Sequence, residues 1–235
     1  MWGSAISGVY DMKGIRRALL TLLFIAVIAS ALIAAPRLYI GLNLTYDVNR
    51  LTKANQNEIE EVLSDASGRY PAYHNDGKWE GVSALHGLGP KVEFVLFPFE
   101  KLPLGIGLSS TTVLTIGYIT SGGVNMSYFS REFDFRQDFG AGLYYQQAFG
   151  PTWGLFTDCS LVYSFYRMAT TNEPNSKPTP VYFHFDSWGV NVNLGAYLEY
   201  SNSFFKVGAN LYYDLASPSD FAFRYGLILG GGLRF

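Results

Sequence analysis

From residue 37 onward, apolar and polar side chains alternate with a period of two in one segment after another. This is the signature of strands whose two faces meet different surroundings. The first segment is the plainest. Leu38, Ile40, Leu42, Leu44 and Tyr46 share one face, and Arg37, Tyr39, Gly41, Asn43 and Thr45 share the other. The second sets Val92, Phe94 and Leu96 against Lys91 and Glu93. The third sets Leu104, Ile106, Leu108, Leu114 and Ile116 against Gly105, Gly107, Ser109, Thr115 and Gly117. In the fourth, Phe133, Phe135, Phe139, Ala141, Leu143 and Tyr145 oppose Asp134, Arg136, Asp138, Gly140, Gly142 and Gln146. In the fifth, Trp153, Leu155, Cys159, Leu161 and Tyr163 oppose Gly154, Asp158, Ser160 and Ser164. The sixth carries Trp188, Val190, Val192, Leu194, Ala196 and Leu198 over Gly189, Asn191, Asn193, Gly195 and Glu199. The seventh carries Phe205, Val207, Ala209, Leu211 and Tyr213 over Lys206, Gly208, Asn210 and Asp214. The eighth carries Tyr225, Leu227, Leu229, Leu233 and Phe235 over Arg224, Gly226, Gly230, Gly232 and Arg234. Eight such strands predict an all-β fold, an eight-stranded antiparallel up-and-down transmembrane β-barrel with its apolar faces toward lipid. A soluble lipocalin-like barrel would alternate as well, but with its apolar face inward, so orientation discriminates the two.

The links between strands are unequal in length. Those centred on Pro98 to Pro103, Phe149 to Thr152 and Ser201 to Ser203 are short, and the others are mostly longer and polar. In barrels of this kind short turns lie on the periplasmic side and long loops outside. The longest link, about Asp47 to Val82, is expected to hold a helix from Leu51 to Ser64 with Asn57, Glu58, Glu60 and Glu61 on its wetted side. The third outer loop, Met168 to Pro180, is rich in Thr, Asn and Pro.

The N-terminal end adds an address. After Met12 come Lys13, Arg16 and Arg17, then the apolar run Ala18 to Ile33, then Ala34 and Ala35. That is the order of a secretory signal. Residues 1–35 are therefore expected to be an N-terminal extension and cleaved signal peptide with the working start at Met12, and 36–235 the barrel. Export is consistent with one cysteine, Cys159, and no disulfide among the 235 residues. Charge excludes a further class: a net charge of −2 leaves no basic footprint, so nucleic acid is not an expected partner. Charged residues are only 15% and aromatic ones 17% of the chain, which favours a membrane over water when soluble domains carry roughly 25% charge.

The last strand ends on Phe235, with Leu233 two places before and Gly230 five places before. This resembles the signal by which the barrel-assembly machinery of the outer membrane recognises its substrates, although Ile228 stands where that pattern prefers a polar residue. With the signal segment and eight strands, the mature chain resembles the small bacterial outer-membrane barrels of the OmpX, OmpA-barrel and OmpW type. The resemblance implies location in the bacterial outer membrane, with membrane lipid and the assembly machinery as partners and no cofactor.

An eight-stranded barrel is just wide enough for its interior to be filled by side chains. Parity places Arg37, Lys91, Arg136, Lys206, Arg224 and Arg234 in the lumen with Glu93, Asp134, Asp138, Asp158, Glu199 and Asp214. Basic and acidic groups match in number, which is the pattern of a plug of ion pairs; the sharper alternative is a gate. Catalysis has one local candidate in His184, Asp186 and Ser187, but in a strand the first two share a face that Ser187 does not. His74 and His86 lack a ligand spacing. The expectation is a non-enzymatic barrel that passes small, apolar solutes or stabilises the envelope. The alternatives are a surface protein binding host ligands through its loops and, behind it, a lipid-modifying enzyme.

Overall fold

The computed structural model describes residues 36–69, 81–99, 102–120, 123–125, 134–170, 181–215 and 223–235. The expected signal segment, His74, Phe133 and loop residues 171–180 lie outside these. The elements are β1 (Arg37–Arg50), α1 (Lys53–Arg69), β2 (Ala84–Phe97), β3 (Leu104–Thr120), β4 (Gly123–Asn125), β5 (Phe135–Ala148), β6 (Trp153–Thr170), β7 (Val181–Tyr200), β8 (Ser203–Asp214) and β9 (Phe223–Arg234). Every pairing is antiparallel, and the sheet runs β2-β1-β9-β8-β7-β6-β5-β3 with β2 also paired to β3. The sheet is therefore closed, with eight strands in the wall and the short β4 as a hairpin extension on β3. At the seam, Leu38 N donates to Phe235 O at 3.0 Å and Phe235 N to Leu38 O at 2.8 Å. Closure pairs both edges of each of the eight strands within the wall, the condition for strands to cross a bilayer.

The faces follow the alternation. Leu194 is 61% exposed on the outer wall while its neighbour Asn193 is 1% exposed inside. The same contrast separates Leu42 from Asn43 and Leu227 from Ile228. The exposed face of the wall is thus built of large apolar side chains while the ionised ones turn inward, the reverse of a soluble barrel. Bilayer hydrocarbon is the surrounding that such a wall requires.

The first outer link is shorter than its predicted span of Asp47 to Val82. β1 continues to Arg50 because the alternation persists through Asp47 and Asn49, both buried inside. The helix also starts and ends later than predicted. Leu51 and Thr52 precede it, and the Thr52 hydroxyl accepts from Asn55 N at 2.9 Å as the N-cap. The helix is tied down at its start by Leu51 N donating to Ser83 O at 2.9 Å and by the buried Leu51 and Ile59. Asn57, Glu58, Glu60 and Glu61 are exposed as expected. α1 packs against β7 at the loop end of the barrel.

Candidate functional site

The lumen, enclosed by the eight strands of the wall, divides into three levels along the barrel axis. At the loop end Arg136 of β5 reaches across to Asp47 of β1, Nη2 to Oδ2 at 2.6 Å and Nη1 to Oδ1 at 3.1 Å. Its Nε meets both carboxylate oxygens of Asp138 at 3.0 Å. Arg224 completes the chain, with Nη2 3.1 Å from Asp138 Oδ2 and its guanidinium 4.1 Å from the centre of the Tyr212 ring. Four buried charges from three segments of wall are thereby neutralised in one unit. Charge-assisted bonds of this geometry are the strong kind, which is what an ion needs to remain buried.

At the middle level Glu93 of β2 binds Lys206 of β8 directly and stands 3.9 Å from Lys91. Lys206 also lies 5.0 Å from the ring centre of Phe156. Gly41 makes the space for this carboxylate: a Cβ there would sit 2.8 Å from Glu93 Oε1. Asp158 accepts from Asn193 Nδ2 at 2.7 Å and from the Ser160 hydroxyl at 3.4 Å.

The turn end carries an aromatic cluster above one ion pair. Tyr39, Val95, Phe97, Tyr144 and Phe204 form one buried cluster. The Tyr39 ring meets Phe97 and Phe204 edge-on at 5.3 and 5.4 Å. Below it Glu199 accepts from Tyr39 Oη at 2.7 Å and from Arg234 Nη1 at 2.6 Å, and Arg37 lies over the Phe97 ring at 5.3 Å.

Of the residues that parity assigned to the lumen, Lys91, Glu93, Asp134, Arg136, Asp138, Asp158, Lys206, Asp214 and Arg224 are buried, while Arg37, Glu199 and Arg234 are half-buried at the turn end. They form separate groups rather than one network. Asp47 is the ion partner that parity did not supply, because the polar run that begins there reads as a loop. Among the described residues the lumen holds two small cavities of about 20 Å³ each, one beside Arg136 and Asp138, the other between Tyr39 and Lys206. Each has room for roughly one water.

The residues weighed for catalysis do not converge. His184 and Asp186 are exposed on the outer face, where the His184 ring stacks on Phe165 and Asp186 accepts from the Tyr163 hydroxyl at 3.0 Å. Ser187 is buried on the inner face, 3.0 Å from Tyr212 Oη. His86 is held through Nδ1 by the Tyr46 hydroxyl at 2.8 Å. The three residues of the chain-end pattern occupy the seam: Gly230 pairs with Asn43, and Leu233 and Phe235 face outward.

No family model and no curated protein matches this sequence. Solved structures do. A major outer membrane protein from Thermus thermophilus aligns with a TM-score of 0.50 at 11% identity, over 83% of this chain and 99% of that one. Neisserial surface protein A gives 0.46 at 11% identity over 84% and 97%. Ail, the attachment invasion locus protein of Yersinia pestis, gives 0.45 at 9% identity over 85% and 99%. At these identities the likeness is one of fold, and the fold is that of the bacterial outer-membrane β-barrels.

Proposed function

We propose that this outer-membrane barrel is a non-enzymatic, non-conducting protein that stabilises the envelope, and that it does not pass solutes through its lumen. The observation that carries this reading is the filled interior. A solute travelling along the axis would have to displace the Tyr39–Phe97–Phe204 cluster at one end and separate Arg136 from Asp47 and Asp138 at the other. Breaking one buried pair leaves an uncompensated charge, at about 3–5 kcal/mol, and two water-sized cavities give no alternative route. The separation of Ser187 from His184 and Asp186 supports a role without catalysis.

A second reading, binding of a surface ligand through the outer loops, is favoured by α1. Its helix is fixed to the barrel by the Leu51–Ser83 hydrogen bond and the buried Ile59, yet presents Asn57, Glu58, Glu60 and Glu61 to solvent.

Swelling of proteoliposomes in isosmotic small sugars tests the first reading. Rates equal to those of protein-free vesicles are expected, and protein-dependent swelling would overturn it. Ligand capture by cells that is lost when α1 is replaced by a short linker would establish the second.

A further inference from the structure

The outer wall is not uniformly apolar. Between β3 and β5, three polar side chains face the bilayer together: the Thr112 hydroxyl donates to Gln137 Oε1 at 2.6 Å, and Gln137 Nε2 donates to Ser110 Oγ at 2.9 Å. Their outward direction follows from parity, since Leu108 on β3 and Phe139 on β5 share their face and are exposed. Polar side chains beside lipid are costly unless their hydrogen-bonding groups are satisfied. The trio satisfies itself only in part. The primary amide of Gln137 carries two hydrogens and uses one, and the Ser110 hydroxyl accepts without donating. Two hydrogen-bond donors on the outer face are therefore left unused within the trio.

Directly beside them the wall is indented. Ala141 lies between Leu108 and Leu161 in one cross-strand row, and its small side chain leaves a depression among the larger ones. Two shallow, open grooves of about 620 and 590 Å³ share Leu108 and Ala141 and so adjoin as one trough. It runs from Leu38 and Leu96 near the turn end to Tyr163 and Trp188 near the loop end. Those two rings, 5.2 Å apart, close its loop end, at the level where interfacial aromatics of outer-membrane barrels sit. The polar trio lies at this same end, since Ser110 pairs with Phe139 and Phe139 with Tyr163.

The geometry points to a specific lipid site on the β3–β5–β6–β7 wall, in which an acyl-ester lipid lays one chain in the trough over Ala141 and receives hydrogen bonds from Gln137 and Ser110 at its ester carbonyls. An ester linkage supplies acceptors without donors, which complements the two donors left by the trio. It also joins a hydrocarbon chain to the interface, which matches an apolar trough ending at polar groups and an aromatic pair. A second copy of the chain would complement the donors less well, because the backbone of each barrel wall is already paired within the sheet.

The test reads retained lipid. The mature protein is reconstituted in nanodiscs of palmitoyl-oleoyl phosphatidylethanolamine and released into the gas phase for native mass spectrometry, with folding verified by heat-modifiable migration. The wild type is expected to keep one phosphatidylethanolamine. Gln137→Leu should lower the lipid-bearing fraction roughly three- to tenfold, the factor that accompanies loss of one hydrogen bond. Ala141→Phe, which fills the trough, should lower it at least as much, and Ala141→Leu is read in its place if the larger ring prevents folding. Ala209→Phe, on the outer face of β8, should leave it unchanged. Equal retention by all variants, loss in Ala209→Phe as well, or a lipid-free dimer would each overturn the proposal.

Discussion

Arg136 and Asp47 meet face to face across the lumen, with two hydrogen bonds of 3.1 and 2.6 Å between groups 89 residues apart in the chain. The pair joins β5 to β1, strands that do not touch within the wall. It therefore spans the barrel interior and holds the loop-end plug in place.

Removing one partner leaves the other charge buried. Asp47→Ala should destabilise the folded barrel by about 3–5 kcal/mol, whereas Asp47→Ala combined with Arg136→Met should cost less than the single change. Urea unfolding in lipid vesicles measures both. A single mutant as stable as the wild type would show that the pair does not hold the plug.

The wall supplies a second prediction. Leu194→Arg, at a side chain 61% exposed to the bilayer, should weaken folding into lipid by roughly 2–4 kcal/mol near the midplane. Leu211→Phe should change stability by less than about 0.5 kcal/mol, since lipid accepts the ring without repacking, while a packed soluble core would lose about 1–3 kcal/mol. Folding yields into vesicles decide between these outcomes.

Phe235 has two separable parts. Its backbone closes the seam with Leu38, and its ring projects outward, 64% exposed. If the ring is read by the barrel-assembly machinery, Phe235→Ser should reduce folded, heat-modifiable protein in the outer membrane of cells, yet leave the stability of protein refolded in vitro within about 0.5 kcal/mol. Equal loss in both assays would assign Phe235 to the seam alone.

The sidedness of the barrel is open to direct labelling. In a Cys159→Ser background, a cysteine at Glu61 on α1 should react with an impermeant maleimide on intact cells, and one at Asn202 in the β7–β8 turn should react only after the outer membrane is opened. The reverse pattern would invert the orientation.

The strands are legible because each has only two kinds of neighbour, lipid and lumen, so strict alternation survives along the chain. The limits of that legibility lie where one residue breaks the rhythm. Asp47 is lost among polar neighbours that read as a loop, although Val48 between Asp47 and Asn49 continues the alternation. Gln137 is polar at an outward position, and its meaning depends on Ser110 and Thr112 on another strand. Pairing in the lumen is hidden for the same reason. Parity says that Arg136 points inward and sets Asp138 beside it two residues on, but only strand register and tilt decide that it also meets Asp47 rather than Glu93. The aromatic turn-end plug requires Phe97 and Phe204 to be placed beside Tyr39, which no local pattern reveals.

Closure of the lumen by its own side chains is read from single-channel recording of the wild-type protein in a planar bilayer, with insertion verified independently by protease protection. A silent bilayer, without discrete steps, is expected across the voltages the membrane withstands. Stable, protein-dependent steps of uniform size in the wild type would show instead an open path through the barrel.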